Sequence, residues 1–183
     1  KNKKDPNIVI IILETFPAFK CGILGNPLNP TPYFDELAKE AISFSNFYVP
    51  KLSTAASIFC TLTGLPDMAV INKSSTRDPF AIHQELLINQ LGGYNKHFFM
   101  GGSANWGDLK GFFKNNIKDI IIHEEGSYSS PETNAWGISD YHLLQETHKV
   151  LAEESEPFIA MVLTAGHHRP YTIPENIPGF EKS

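Results

Sequence analysis

No apolar run in this 183-residue chain approaches the roughly 18 residues a membrane span requires, so neither a transmembrane helix nor a signal peptide lies within these residues. Cysteine is scarce. Cys21 and Cys60 are the only two, a count compatible with a free pair or with one disulfide. A basic surplus is missing as well: 15 Lys and Arg stand against 20 Asp and Glu, for a net charge of −5, which points away from nucleic acid. The short cluster Lys1, Lys3 and Lys4 reads as a flank rather than a binding patch. Internal repeats are absent too. With 42% hydrophobic and 19% charged residues the chain has the composition of an ordinary globular domain, and its length suffices for one sizeable core.

What is present begins with Asn7-Ile8-Val9-Ile10-Ile11-Ile12-Leu13-Glu14-Thr15. An all-apolar run of this length reads as a buried parallel strand, and it delivers Glu14 to the carboxyl edge of a sheet, where open α/β folds bind ligands. A buried carboxylate without a partner is costly, so Glu14 is expected to face a cation, a hydrogen-bond cluster or water in a cleft. Thr31 and Pro32 then open a helix, with Leu37 and Ala41 as an apolar stripe against the sheet, and Ile42 to Val49 reads as a short strand. A helix follows from Thr54, then a polar loop from Asn72 to Asp78 and a helix from about Phe80 to Leu91. Strand Asn95 to Met100, helix Leu109 to Lys114 and strand Lys118 to His123 come next. Ser139 is placed to cap a helix from Tyr141 to Glu154 with Leu143, Leu144, Val150 and Leu151 on its apolar face, and strand Pro157 to Thr164 closes the order. This alternation predicts an α/β fold, a mostly parallel sheet between two helical layers. Asn72-Lys73-Ser74 fits a glycosylation acceptor, a weak three-residue pattern.

Several segments resemble the sulfatase and alkaline phosphatase superfamily. They are Glu14 at the end of the first strand, the helix Thr31-Pro32-Tyr33-Phe34-Asp35-Glu36-Leu37-Ala38-Lys39-Glu40, and Ser53-Thr54-Ala55-Ala56-Ser57-Ile58-Phe59-Cys60-Thr61-Leu62-Thr63-Gly64. The last is similar to the segment that carries a catalytic threonine in the lipoteichoic acid synthase, phosphoglycerol transferase and phosphoethanolamine transferase branches, with Thr54 at the matching position. A threonine hydroxyl is a poor nucleophile near neutral pH and needs a metal or a base. At the first turn of a helix it also meets exposed amides that favour a phosphate oxygen. In isolation Ser53 or Thr54 reads equally well as a plain helix cap.

The resemblance further implies that Trp106 lines a head-group pocket, that Glu14 and Thr54 ligate a divalent metal, Mn²⁺ or Mg²⁺ with Zn²⁺ also in range, and that His168 contacts the substrate phosphate and protonates the leaving group. His168 comes from Ala165-Gly166-His167-His168-Arg169-Pro170-Tyr171, where His167 competes for the role. Trp136, in Trp136-Gly137-Ile138-Ser139-Asp140, resembles the phosphoglycerol transferase branch and reads as a structural anchor.

Four departures qualify the resemblance. Cys60 is followed by Thr61-Leu62-Thr63, not by the Pro-x-Arg context of formylglycine sulfatases, so sulfate-ester hydrolysis is not expected. The synthases' arginine two residues beyond the tryptophan is replaced by Asp108, leaving Lys110 as the nearby cation, and the partner of the phosphoethanolamine branch's disulfide falls on Pro50. No Asp-His dipeptide occurs anywhere, although the family completes its metal shell with one. The expectation is therefore the N-terminal portion, residues 1–183, of an extracytoplasmic alkaline phosphatase-like three-layer α/β/α domain, truncated at the C-terminus, with further metal ligands beyond residue 183 and membrane helices preceding Lys1.

The function implied is a metal-dependent phosphoglycerol or related phospho-alcohol transferase. It would work from a lipid-linked donor to a glycan or polymer acceptor, at a cell membrane. A phosphodiesterase or phosphatase of the same superfamily, or an inactive fragment with a binding role, remain the alternatives.

Overall fold

The computed structural model describes residues 5–69, 75–77 and 83–173. It divides into two compact units, Thr15–Val49 and the remainder, Lys1–Glu14 with Pro50–Ser183.

The larger unit carries a parallel sheet of β1 (Ile8–Ile12), β2 (Asn95–Met100), β3 (Ile120–His123) and β4 (Phe158–Leu163), in the order β1-β4-β2-β3. Register runs from Ile8 opposite Ile159 to Ile12 opposite Leu163, and from Asn95 opposite Phe158 to Met100 opposite Leu163. β4 is central and buried along its whole length, as expected of a continuous apolar strand flanked on both sides. β1 differs from that expectation. It lies at the edge of the described sheet with alternating burial, Val9 and Ile11 being 49% and 51% exposed.

Two cores lie on opposite faces of the sheet. On one, Ala55, Ile58 and Phe59 of α2 (Thr54–Thr63) and Leu109, Phe112 and Phe113 of α3 (Leu109–Asn116) pack on Phe98, Met100, Met161 and Leu163. On the other, Leu143 of α4 (Asp140–Ala152) packs with Ile138 on Phe99, Phe158, Ala160 and Val162. The three-layer α/β/α arrangement read from the sequence is the one observed. Ser139 caps α4 by accepting the His142 amide at 3.2 Å. Leu144, however, is exposed, because the buried stripe of α4 runs through Leu143, Glu146 and Thr147. Gly64 ends α2 in the left-handed region at φ 69°, its amide returning to the Cys60 carbonyl at 2.9 Å. Between Ile82 and β2 the described residues form only a short 3₁₀ turn, Leu87–Gln90, in place of a longer helix. The remainder of that expected helix, the Asn72-Lys73-Ser74 pattern and the Lys1 cluster lie outside the described residues.

The smaller unit holds α1 (Pro32–Glu40), with Pro32 in the first turn as anticipated. Thr31 occupies the cap position without a capping bond. Its hydroxyl instead accepts the Gly22 amide at 2.9 Å and donates to Asp35 at 3.0 Å. Leu37 stays exposed and Ala41 lies just past the helix end, so the expected apolar stripe is not formed within the unit. Residues 42–49 are not a strand, since a strand-prone run becomes one only when a neighbouring backbone pairs with it. Among the described residues both cysteines are free thiols.

Candidate functional site

Because β1, β2 and β4 run parallel, their carboxyl ends bring Glu14, Met100 to Ser103 and Leu163 to Ala165 to one edge of the sheet. There they border a cavity of about 230 Å³, also lined by Thr54, Trp106, Trp136 and His168. All four residues singled out from the sequence, Glu14, Thr54, Trp106 and His168, therefore stand on one cavity. Thr54 is the first residue of α2, whose preceding Ser53 is extended and makes no side-chain cap. Glu14 is fixed by the zipped ends of β1 and β4: its amide donates to the Thr164 hydroxyl at 3.2 Å, and the Thr164 amide donates to the Ile12 carbonyl at 3.1 Å.

His168 Nε2 lies 3.5 Å from Glu14 Oε1. His167, its neighbour, lines a different cavity beside Tyr141 and Ile173, which separates the two histidines that sequence reading left in competition. Trp106 is 41% exposed on the rim, in a 3₁₀ turn running to Asp108. Lys110 does not stand in for the missing arginine. Its ammonium is paired with Glu124, which also accepts the Ala104 amide at 2.7 Å, so this pair fastens the loop that carries Trp106.

Two lining residues escaped the sequence reading. Glu125 adds a second carboxylate to the cavity and is exposed; nothing in its local sequence marks it. Trp136 was read as an anchor, yet its ring stacks on His168 with centroids 4.1 Å apart. Among the described residues the lining holds two carboxylates, one imidazole and no Lys or Arg. An incoming phosphate would meet net negative charge there, offset by the amino end of α2 and by whatever cation joins it.

Among the described residues no group of three or more His, Cys, Asp or Glu stands close enough to hold a metal ion. Glu14 and Thr54 supply one carboxylate and one hydroxyl, against the four or so donors a divalent ion usually takes. The described residues by themselves do not complete a metal centre. Asp67, in the segment after α2, is linked through Lys51 to the segment that leads into the helix. It accepts the Ala69 amide at 2.8 Å and the Ser75 hydroxyl at 2.7 Å, while Lys51 Nζ donates to the Asp67 carbonyl at 3.0 Å. The Ser57 hydroxyl in turn donates to the Lys51 carbonyl at 2.7 Å.

The model of the Sulfatase family matches residues 6–183. A crystal structure of a protein in the alkaline phosphatase superfamily from Vibrio parahaemolyticus superposes with a TM-score of 0.83 at 30% identity, covering 100% of this chain and 46% of that one. The lipoteichoic acid synthase LtaP from Listeria monocytogenes superposes with a TM-score of 0.80 at 21% identity, covering 93% and 43%. Among curated proteins, the lipoteichoic acid synthase-like YvgJ of Bacillus subtilis (strain 168) is 22% identical over 94% of this chain and 28% of its own length. The chain thus spans less than half of each of these relatives.

Proposed function

The chain belongs to the sulfatase family, and we propose that the whole protein is a phospho-alcohol transferase acting from a lipid-linked donor, with Thr54 as its nucleophile. The observation that carries the reading is the convergence of Thr54, Glu14, Trp106 and His168 on one cavity at the carboxyl edge of the sheet. In the first step Thr54 Oγ bonds to phosphorus as the bond from phosphorus to the donor's alcohol oxygen breaks. The threonine proton leaves to solvent and His168 Nε2 protonates the departing oxygen. In the second, the oxygen of an acceptor hydroxyl bonds to phosphorus as its proton passes to His168 Nε2, the bond from phosphorus to Thr54 Oγ breaks, and Thr54 takes a proton back from solvent.

Trp106 at the rim contributes a flat apolar surface for the head group. The amino end of α2 directs amides toward the phosphoryl oxygens. A divalent metal would add charge neutralisation and activate the hydroxyl, and Glu14 with Thr54 would furnish part of its shell. The similarity to lipoteichoic acid synthases supports phosphoglycerol as the transferred group and a catalytic domain outside the cytoplasm at a membrane. Among the described residues no helix is long and apolar enough to cross one.

The test is turnover of a phosphatidylglycerol-type donor by the whole protein, with and without a glycan or polyol acceptor. Product that appears on the acceptor and disappears with Thr54→Ala supports transfer. Release of free phosphoglycerol at the same rate whether or not acceptor is present would identify a hydrolase instead.

A further inference from the structure

We infer that the turn Trp136-Gly137-Ile138-Ser139-Asp140 is the positioning device for His168, with Trp136 and Asp140 as positioning residues acting through the histidine; this rests on the transfer reading above. Trp136 grips the histidine loop twice. Its ring stacks on the imidazole at 4.1 Å with planes 30° apart, and its Nε1 donates to the Arg169 carbonyl at 2.8 Å. Asp140, the first residue of α4, holds the other end of the same loop. Its two carboxylate oxygens accept the Ala165 and Gly166 amides, each at 2.8 Å. His168 is thereby clamped on its ring face, on the carbonyl after it and on the amides before it.

The turn is itself seated on the opposite wall of the cavity. The Ile138 amide donates to the Gly101 carbonyl at 3.2 Å. Gly137, at φ +97°, passes so close that an added Cβ would lie 1.9 Å from the Gly101 carbonyl oxygen. A Cβ on Gly102 would in turn meet the Trp136 carbonyl at 2.7 Å. One short turn therefore ties the Gly101-Gly102 wall to the loop that carries His168. A side chain that merely filled the core would need neither the stack on a cavity imidazole nor the paired grip on the backbone on either side of it.

The consequence is kinetic. A histidine held to protonate the leaving oxygen matters when that oxygen is a poor leaving group and matters little when it is a good one. The experiment uses the whole protein and two donors that share the transferred phosphoglycerol, one with an alkyl alcohol as leaving group and one with 4-nitrophenol. Trp136→Leu, which keeps bulk and removes the stack, is expected to lower kcat on the alkyl donor by at least ten-fold with KM within about two-fold, and to leave the nitrophenyl donor nearly unchanged. Trp136→Phe, which restores a stacking ring, should recover most of the loss. Combining Trp136→Leu with His168→Ala should cost no more on the alkyl donor than His168→Ala alone.

Equal losses on both donors, no loss on either, or losses that multiply in the double variant would each overturn the inference, since a general packing defect or an independent role predicts them. Asp140→Asn, which keeps the size of the side chain and removes its charge, gives the same donor contrast if Trp136→Leu fails to fold. Inactivity of the unaltered protein on both donors would sink the transfer reading together with this inference. Activity that is insensitive at Trp136 would sink the inference alone.

Discussion

Protonating the two histidines under α4 should cost this fold stability well above the pH at which its carboxylates are lost. His97, on β2, is 1% exposed and lies beside the stacked pair Phe99 and His123, its ring centroid 5.9 and 5.4 Å from theirs, and its Nδ1 lies 3.2 Å from His123 Nε2. On its other side, Nε2 lies 2.9 Å from Glu154 Oε1 without the alignment of a good hydrogen bond, and Asn95 holds that carboxylate at 2.8 Å. Burial pushes His123 down from 6.5 to about 4, the His97 charge adding to the effect and Glu154 opposing it. Burial also lowers His97, against Glu154. With the folded values below the unfolded one, the unfolded chain takes up protons first as pH falls. The contribution is fully present above about 6.5 and is lost as pH drops toward about 4. For His123 the difference from 6.5 to about 4 is on the order of 3 kcal/mol, at about 1.4 kcal/mol per tenfold change in proton affinity. Urea unfolding at pH 7, 6, 5 and 4.5 would measure it. His123→Phe, which keeps a flat ring against Phe99, should flatten the decline across that window by close to one proton's slope. An unchanged slope in His123→Phe would refute the reasoning.

The segment after α2 is organised by a buried carboxylate, Asp67. Asp67→Ala strands the Ala69 amide and the Ser75 hydroxyl, so it should cost about 1–3 kcal/mol and lower the melting temperature by several degrees, with an unmoved calorimetric transition counting against the cluster's role. The 183-residue chain, with one carboxylate and one hydroxyl at the cavity, should bind Mn²⁺ or Mg²⁺ weakly or not at all by titration calorimetry, and tight binding abolished by Glu14→Ala would show a fuller ligand set than the described residues hold. His168→Ala should slow transfer from an alkyl donor by roughly 10²- to 10⁴-fold in steady-state assays, and a loss of less than about two-fold would remove it as the proton donor.

Much of the fold follows from local pattern. β2 occupies the residues the sequence suggested, and the uninterrupted apolar run of β4 announced a strand buried on both faces. The apolar run of β1 carried the same signal, but periodicity cannot tell a central strand from an edge one; that depends on which neighbours pair. Residues 42–49 failed for the related reason that strand propensity is not a partner. At the site, Glu14 and Thr54 were visible because one follows a strand and the other opens a helix, positions that parallel connectivity gathers, whereas Trp106 and His168 stood out only through the family resemblance of their loops. Trp136 and Glu125 were not visible as cavity residues. Their roles depend on how loops after β3 and before α4 fold back over the sheet edge, a contact between segments with no local signature.

The central claim is that Thr54 becomes covalently phosphorylated during transfer. Intact-mass and peptide mass spectrometry on the whole protein, rapidly quenched in acid after mixing with a phosphatidylglycerol-type donor and no acceptor, measures that directly. The account predicts a phosphoglycerol adduct on Thr54 that disappears on adding acceptor and never forms in Thr54→Ala. Turnover of the donor by Thr54→Ala at a near-normal rate, or an adduct on a different residue, would contradict it.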